Sequence, residues 1–376
     1  DFPLPERGGR TPLQLASTPA MDTLASEGLC GLYWPIPDDL PPGSDIGNLS
    51  LFGYNPHETF TGRAPLEAAN QGIALGPGDV AFRCNLVTLQ DGVMKSFTSD
   101  HISSEEAAEL IRALDSACPR ACAFHPGVSY RHLAVIPGSE VKPDDLVETA
   151  CTPPHDISDQ AYEPHLPTGP AGAYLRDLME WSRPILAAHP VNAARIAAGQ
   201  LPATSIWLWG QGRAPRMATY RDRFGITGAV ISAVDLVKGI GVCAGLDVIK
   251  VPGATGYIDT NYEGKVEAAL HALDAVDFVY VHVEAPDECA HEGIIDKKIQ
   301  AIEDFDRRVV APCLEAARSH ADWRVLVAPD HVTALGSRTH AGGPVPFVLW
   351  GCGVASNGLS QYDEASAAAG GLVVNP

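Results

Sequence analysis

Two short segments hold the residues best suited to chemistry. Asp287-Glu288-Cys289-Ala290-His291 follows closely on the apolar run Phe278-Val279-Tyr280-Val281-His282-Val283. Asp330-His331 follows Val325-Leu326-Val327-Ala328, with Arg338-Thr339-His340 close behind. Each apolar run predicts a buried strand, and each cluster then falls just past a strand's C-terminal end. That edge is where open α/β sheets bind ligands. Two carboxylates (Asp287, Asp330) and three imidazoles (His291, His331, His340) converging there predict a site for two divalent metal ions. Asp287 and His291 are four residues apart and share a face if their segment is helical. His282, inside the first run, reads as a buried structural histidine rather than a ligand.

Paired divalent ions most often serve phosphoryl transfer, by polarising the phosphate and lowering the pKa of an attacking hydroxyl. Ser44 is the best candidate for that hydroxyl. It lies between Gly43 and Asp45, after Pro41-Pro42, where the chain turns into a predicted helix. Backbone N–H groups at a helix N-terminus favour a phosphate, although serine is also a common N-cap with no further role. Arg63, Arg83 and Arg131 are candidate anion ligands because a guanidinium fork fits phosphate and carboxylate, with surface ion pairing as the plainer reading of each. Lys238 is a charge within the apolar stretch Ala233–Gly241 and either pairs with a buried acid or faces the phosphate. Gly239-Ile240-Gly241 does not continue into a dinucleotide fingerprint, and no Walker A sequence occurs, which argues against an ordinary P-loop kinase.

The elements that must position these residues follow from pattern. Thr18-Pro19 starts a helix through Ala25. Residues 80–89 and 128–135 read as strands, and Ser103-Ser104-Glu105-Glu106 is a capping box opening a helix with Ala107, Leu110, Ile111 and Leu114 on one face. Residues 138–170 read as irregular, and a helix is expected near 171–188. From Ser205 onward apolar strands (Ser205–Gly210, Gly228–Ser232, Asp247–Val251, Phe278–Val283, Val325–Ala328, Phe347–Trp350) alternate with helices, the longest at about Ile295–Ser319. Strand–helix alternation predicts a mostly parallel, covered sheet. The expected organisation is an α/β core from residues 1–77 and 213–376, with residues 78–212 inserted as a separate α+β lobe and the site in the cleft between them.

Composition narrows the function. The 376 residues carry 46 Asp+Glu against 26 Lys+Arg, a formal net charge of −20. That excludes the basic footprint of a nucleic-acid binder and disfavours an anionic membrane surface. No membrane span is expected. Nine scattered cysteines, with no CxxC pair, fit a reduced, cytoplasmic chain rather than a disulfide framework.

Longer segments carry a resemblance. Gly8-Gly9-Arg10-Thr11-Pro12-Leu13, Pro42-Gly43-Ser44-Asp45, Thr61-Gly62-Arg63-Ala64-Pro65-Leu66, Phe82-Arg83-Cys84-Asn85-Leu86, Thr152-Pro153-Pro154-His155-Asp156, Trp207-Leu208-Trp209-Gly210-Gln211-Gly212 and Val251-Pro252-Gly253-Ala254-Thr255-Gly256, with the two metal-type clusters, span nearly the whole chain. Together they resemble the cofactor-independent phosphoglycerate mutases of the archaeal type, within the alkaline phosphatase superfamily. The resemblance implies a three-layer αβα core of alkaline-phosphatase type, with a mostly parallel sheet and an inserted smaller α+β domain. It also implies two divalent ions per chain, manganese foremost, with magnesium, zinc or cobalt as alternatives, and no bisphosphoglycerate. By position, Asp287, His291 and His340 would hold one ion, and Ser44, Asp330 and His331 the other. Ser44 would carry the phosphoryl group from 3-phosphoglycerate to the 2-hydroxyl of the same glycerate. Lys238 and Arg63 would neutralise the phosphate in the core, and Arg83, Arg131 and Asp45 would bind substrate. The partner is a small phosphorylated substrate, with oligomerisation left open. A homoserine-kinase-like phosphotransferase and a metal-dependent phosphatase are the alternatives.

The family pattern also extends past both ends of the chain. It includes a leading strand ending in Asp-Gly, whose Asp would join Ser44 on one metal, and a closing helix. The chain starts at Asp1-Phe2-Pro3, where the family continues after that dipeptide, and both ends are expected to be trimmed or disordered.

Overall fold

The computed structural model describes residues 1–375. The chain folds into two compact units, one from Asp1–Phe60 with Arg216–Pro376 and one from Thr61–Pro215.

The first unit is the α/β core. Among the described residues its strands form two larger hydrogen-bonded sheets, besides the two-stranded hairpin Val332–Ala334/Thr339–Ala341. One runs in the order Arg324–Val327, Val345–Gly351, Leu29–Tyr33, Val373–Val374. Only Val345–Gly351 opposes the others in direction. The other is wholly parallel, with Gly228–Ile231 between Asp247–Val248 and Phe278–Val281. Helices Pro19–Glu27 and Ala311–Arg318 bury Met21, Leu24, Ala25 and Leu314 with Cys30, Val327 and Val348 of the first sheet. Parallel strands under helices are the expected α/β arrangement. The two runs that precede the metal-type clusters differ from expectation in burial. Phe278–Val281 is half-buried throughout and Leu326 is 57% exposed. Each strand lies at the edge of its hydrogen-bonded sheet, so one flank has no neighbouring strand to cover it. Asp247–Val251 shortens to the pair Asp247–Val248.

The long helix expected at 295–319 is instead three pieces. Ile295–Phe305 and Ala311–Arg318 flank a π-turn at Asp306–Val310. The wider turn, a form that recurs inside α-helices as a local bulge, holds Asp306. Its buried carboxylate accepts the N–H groups of Ala20 (3.2 Å) and Met21 (2.7 Å), two of the donors that the helix Pro19–Glu27 leaves unpaired at its start. Asp306→Ala therefore strands both donors in a buried position. It is expected to cost about 2–4 kcal/mol in urea unfolding, and an unchanged midpoint would refute this role.

The second unit is α+β. A long strand, Val80–Gln90, pairs antiparallel with Arg131–Ile136 and, farther along, Val93–Ser96 on one side, and with Ser205–Gly212 on the other. Alternation sends Val80, Phe82, Cys84 and Leu86 into a core with Leu110, Leu114, Leu175 and Leu178 from helices Ser104–Ala117 and Gly172–Ala188. The capping box forms, with Ser103 and Glu106 bonding reciprocally. The strand expected at 128–135 is a hairpin. Ala123–Val128 and Arg131–Ile136 pair around a turn in which Ser129 adopts φ 54°. Residues 138–170, expected to be irregular, hold the short helix Pro143–Glu148 and two 3₁₀ turns. Helix Arg63–Asn70, placed by sequence in the core, packs Ala64 and Ala68 on Ala81 and Leu133 of this unit's sheet.

Candidate active site

Ser44 is the first residue of the helix Ser44–Leu51, after the extended cap Gly43. The helix lies close against the loop that carries Asp330. A Cβ on Gly47 would sit 2.1 Å from the Asp330 carbonyl oxygen, so only glycine permits this approach. Four residues beyond Ser44, Asn48 donates to the Ser44 carbonyl (2.8 Å) and to Asp330 Oδ2 (2.7 Å). Its own oxygen accepts from the Tyr280 hydroxyl at 2.7 Å, and the Tyr280 ring stacks on Phe52 with centroids 4.1 Å apart.

Asp287 and His291 lie one turn apart on the helix Ala285–Glu292, with Oδ2 and Nε2 3.2 Å apart. His340 comes from the short hairpin Val332–Ala334/Thr339–Ala341. Its Nε2 lies 3.1 Å from His291 Nε2 and 3.4 Å from Asp287 Oδ1. The His331 ring continues the row, its centroid 4.2 Å from that of His340. His331 Nε2 reaches Ser44 Oγ at 3.0 Å and Asp330 Oδ2 at 3.4 Å.

The surroundings set the tautomers. His291 Nδ1 faces the Arg338 carbonyl at 2.9 Å. A carbonyl can only accept, so Nδ1 carries a proton and, in the neutral ring, Nε2 keeps its lone pair. Arg338 sits at φ 56°, a left-handed position uncommon for a side chain of this size. Thr333 does the corresponding work for His331. Its hydroxyl donates to Asp287 Oδ1 and lies 3.1 Å from His331 Nδ1. With its hydrogen pointed at Asp287, it accepts from Nδ1–H, and the lone pair of His331 Nε2 is directed at Ser44. Thr333 thus links the two clusters.

Burial alone would raise the Asp287 carboxyl, but hydrogen bonds from His291, His340 and Thr333 outweigh it and hold the group far below the usual carboxylate range. The same hydrogen bond to Asp287 pushes His291 up to about 9. Asp287, His291 and His340 offer three ligand atoms within 4.8 Å of one another, and the Ser44 hydroxyl and Asp330 carboxylate each lie within 3.4 Å of His331 Nε2. Lone pairs facing one another at these distances need protons or a cation between them, and imidazole with carboxylate suits divalent ions, so the residues fit such ions.

The pH dependence follows. The folded value of His291 is raised, so its contribution to stability is complete below about 6.5 and lost as pH rises through about 9. That of Asp287 is lowered, so its contribution is present above the ordinary carboxylate value and lost as pH falls below it. In metal-free protein the pair contributes most between about pH 4 and 6.5. A metal must displace the His291 proton, so Mn²⁺ affinity is expected to rise about tenfold per pH unit between pH 6 and 8. Calorimetric titration at the two ends checks this, and equal affinities would contradict it.

The remaining predicted residues fall as follows. Lys238 bonds Asp235 Oδ1 at 2.7 Å on the helix Asp235–Cys243, which packs against the Ser44 helix. The Asp45 carboxylate accepts the Ile46 N–H at 2.9 Å. His282 is buried. Its Nδ1 lies 3.1 Å from Ser232 Oγ and its Nε2 3.3 Å from Glu284, and burial lowers its pKa to about 4. Its carbonyl accepts a hydrogen bond from the buried Lys265 Nζ at 2.9 Å.

In the second unit Arg83 is buried and clamped. Its Nε donates to Glu67 Oε2 at 3.1 Å, and its guanidinium lies 4.3 Å from the centre of the Trp209 ring. The register places Arg83 directly opposite Trp209. The other Glu67 oxygen accepts from Arg63 Nε at 3.2 Å. Burial lowers Arg83 to about 10, so it stays charged at neutral pH. His155 sits with its ring centroid 5.3 Å from Trp209. Arg131 opens its strand opposite Asn85 and is exposed.

The sequence reading missed Thr333, Asn48, Tyr280 and Glu67. Two of these had a readable signal: Thr333 is two residues past His331, the period of a strand, and Asn48 is four past Ser44, the period of a helix.

The first unit thus joins an α/β core to a cluster of metal-type donors. Residues 25–192 match the family profile of the 2,3-bisphosphoglycerate-independent phosphoglycerate mutases. A protein of that name from Methanothrix thermoacetophila is 52% identical over 372 residues, 99% of this chain and 93% of the relative. One described as probable, from Geobacter sulfurreducens, is 52% identical over all of this chain and 94% of its own length. Among solved structures, the cofactor-independent phosphoglycerate mutase of Thermoplasma acidophilum superposes with a TM-score of 0.64 at 27% identity, covering 100% of this chain and 93% of its own. A protein of Pyrococcus horikoshii does so with a TM-score of 0.81 at 28% identity, covering 100% and 91%. The chain belongs to the 2,3-bisphosphoglycerate-independent phosphoglycerate mutase family.

Proposed function

We propose that the chain interconverts 3-phosphoglycerate and 2-phosphoglycerate, with Ser44 as the carrier of the phosphoryl group. One observation supports this above the rest: Ser44 Oγ lies at a helix start, 3.0 Å from His331 Nε2, in the same unit as the three metal-type donors Asp287, His291 and His340.

In this reading Ser44 Oγ forms a bond to phosphorus while the bond from phosphorus to the 3-oxygen breaks. The departing glycerate takes a proton on that oxygen. After glycerate turns, its 2-hydroxyl attacks the phosphoserine, and the serine hydroxyl is restored. Asp287, His291 and His340 would hold one divalent ion and Ser44, Asp330 and His331 the other, which supplies Lewis acidity that lowers the pKa of the serine hydroxyl and offsets charge on the phosphate. Asn48 fixes Asp330 relative to the Ser44 helix, and Thr333 fixes the His331 tautomer. Lys238 and Arg63 offset phosphate charge. Arg83 and Arg131 take the carboxylate or the resting phosphate, Arg83 from a position preset by Glu67 and Trp209, and Asp45 contributes to substrate binding. The first unit is thus the metal-binding core, and the second unit contributes substrate-binding groups.

The test is conversion of 3-phosphoglycerate to 2-phosphoglycerate with Mn²⁺ present and neither 2,3-bisphosphoglycerate nor ATP. Turnover is the expected result. Release of inorganic phosphate instead would establish a phosphatase. ATP consumption with homoserine, and no mutase turnover, would establish a kinase.

A further inference from the structure

Two cysteines outside this chemistry lie in contact. Cys118 Sγ and Cys122 Sγ are 2.9 Å apart, closer than two sulfurs rest without a shared proton or bond. They close the five-residue turn Cys118-Pro119-Arg120-Ala121-Cys122 between the helix Ser104–Ala117 and the strand Ala123–Val128. The turn is held where it is. Asp115, in the last turn of the helix, accepts the Phe124 N–H at 2.8 Å. Arg120 lies 3.5 Å from Asp177 and over the Tyr174 ring at 4.5 Å. Cys122 is 7% exposed, whereas Cys118 is only half-buried.

We propose that Cys118 and Cys122 are a reversible modification site at which a hydroperoxide closes a disulfide. The Cys118 sulfur attacks the peroxide oxygen, the O–O bond breaks, and a sulfenic acid and one water form. The Cys122 sulfur then attacks the Cys118 sulfur and expels a second water. Two thiols and one hydrogen peroxide thus become one disulfide and two waters. A dithiol reverses the change by exchange, and is itself oxidised.

The link has a structural consequence. The same helix is already tied at its other end to the turn of the hairpin, because Ser129 N–H donates to Ser104 Oγ (2.9 Å) and Ser129 Oγ donates to the Ile102 carbonyl (2.7 Å). A covalent bond at Cys118–Cys122 pins the second end. The helix and the hairpin that presents Arg131 then become one stapled piece.

Peptide mapping of the intact protein decides this. The protein is treated with a modest excess of hydrogen peroxide, blocked with N-ethylmaleimide and digested with trypsin. The expected product joins Ala113–Arg120 to Ala121–Arg131, lighter than the two peptides by two hydrogens and separated by dithiothreitol. Oxidation should also raise the melting temperature by about 4 °C, in Cys352→Ser as in the parent but not in Cys118→Ser. Recovery of both peptides carrying maleimide, while the exposed Cys352 is oxidised, would overturn the proposal.

Discussion

Ser44→Ala is expected to lower mutase turnover by at least about 10⁴-fold, the scale on which nucleophile removal acts in covalent catalysis. The fold should survive. Ser44 is half-buried at the first position of its helix, and its hydroxyl bonds only the His331 imidazole among the described contacts. Helix start and packing rest instead on Gly47 against Asp330 and on the Asn48 amide bridge. Circular dichroism and the unfolding midpoint should therefore match the parent while the rate collapses. A variant that kept a tenth of the parent rate would remove Ser44 from the mechanism.

Exhaustive chelation is expected to have an effect of similar size, with activity falling to background and returning on addition of Mn²⁺. The reason lies in the donor arrangement. The His291 and His340 Nε2 atoms stand 3.1 Å apart and both reach Asp287, so three donor atoms converge where one ion would be held. Because the ligands converge only in the folded chain, an ion at 100 times its dissociation constant should add about 2.7 kcal/mol to unfolding stability. The thermal midpoint thus reports loading independently of turnover. Full activity in protein shown by elemental analysis to be metal-free would contradict the account.

These expectations rest on features that differ in how readily a sequence shows them. Asp287 and His291 were legible because helical period alone puts them on one face, and Asp330-His331 because a run of β-branched and aliphatic residues announces a strand end. The burial of those strands was not legible. Leu326 is apolar in type, but its exposure depends on which strand pairs with which. The π-turn at Asp306–Val310 was hidden as well, since the 3–4 spacing of Ile299, Ile302, Phe305 and Val309 continues through it. The groups that fix the site's geometry act across long separations: Tyr280 reaches Asn48 and Thr333 reaches Asp287 through bonds that no local pattern encodes. For Lys238 the sequence left two readings, a buried acid or the phosphate, and its partner Asp235, three residues earlier, is half-exposed rather than buried. The arginines were visible as charges in strands. That Glu67 bridges Arg63 and Arg83 follows only from the packing of helix Arg63–Asn70 on the second unit's sheet.

The central claim is that the phosphoryl group passes through Ser44. Rapid quench of the Mn²⁺-loaded protein during turnover of 3-phosphoglycerate, followed by peptide mass spectrometry, tests it most directly. The account predicts a phosphorylated peptide whose modified residue is Ser44, present during turnover and absent without substrate. Steady turnover with Ser44 unmodified at every quench time, and the phosphoryl group found on another residue, would contradict it.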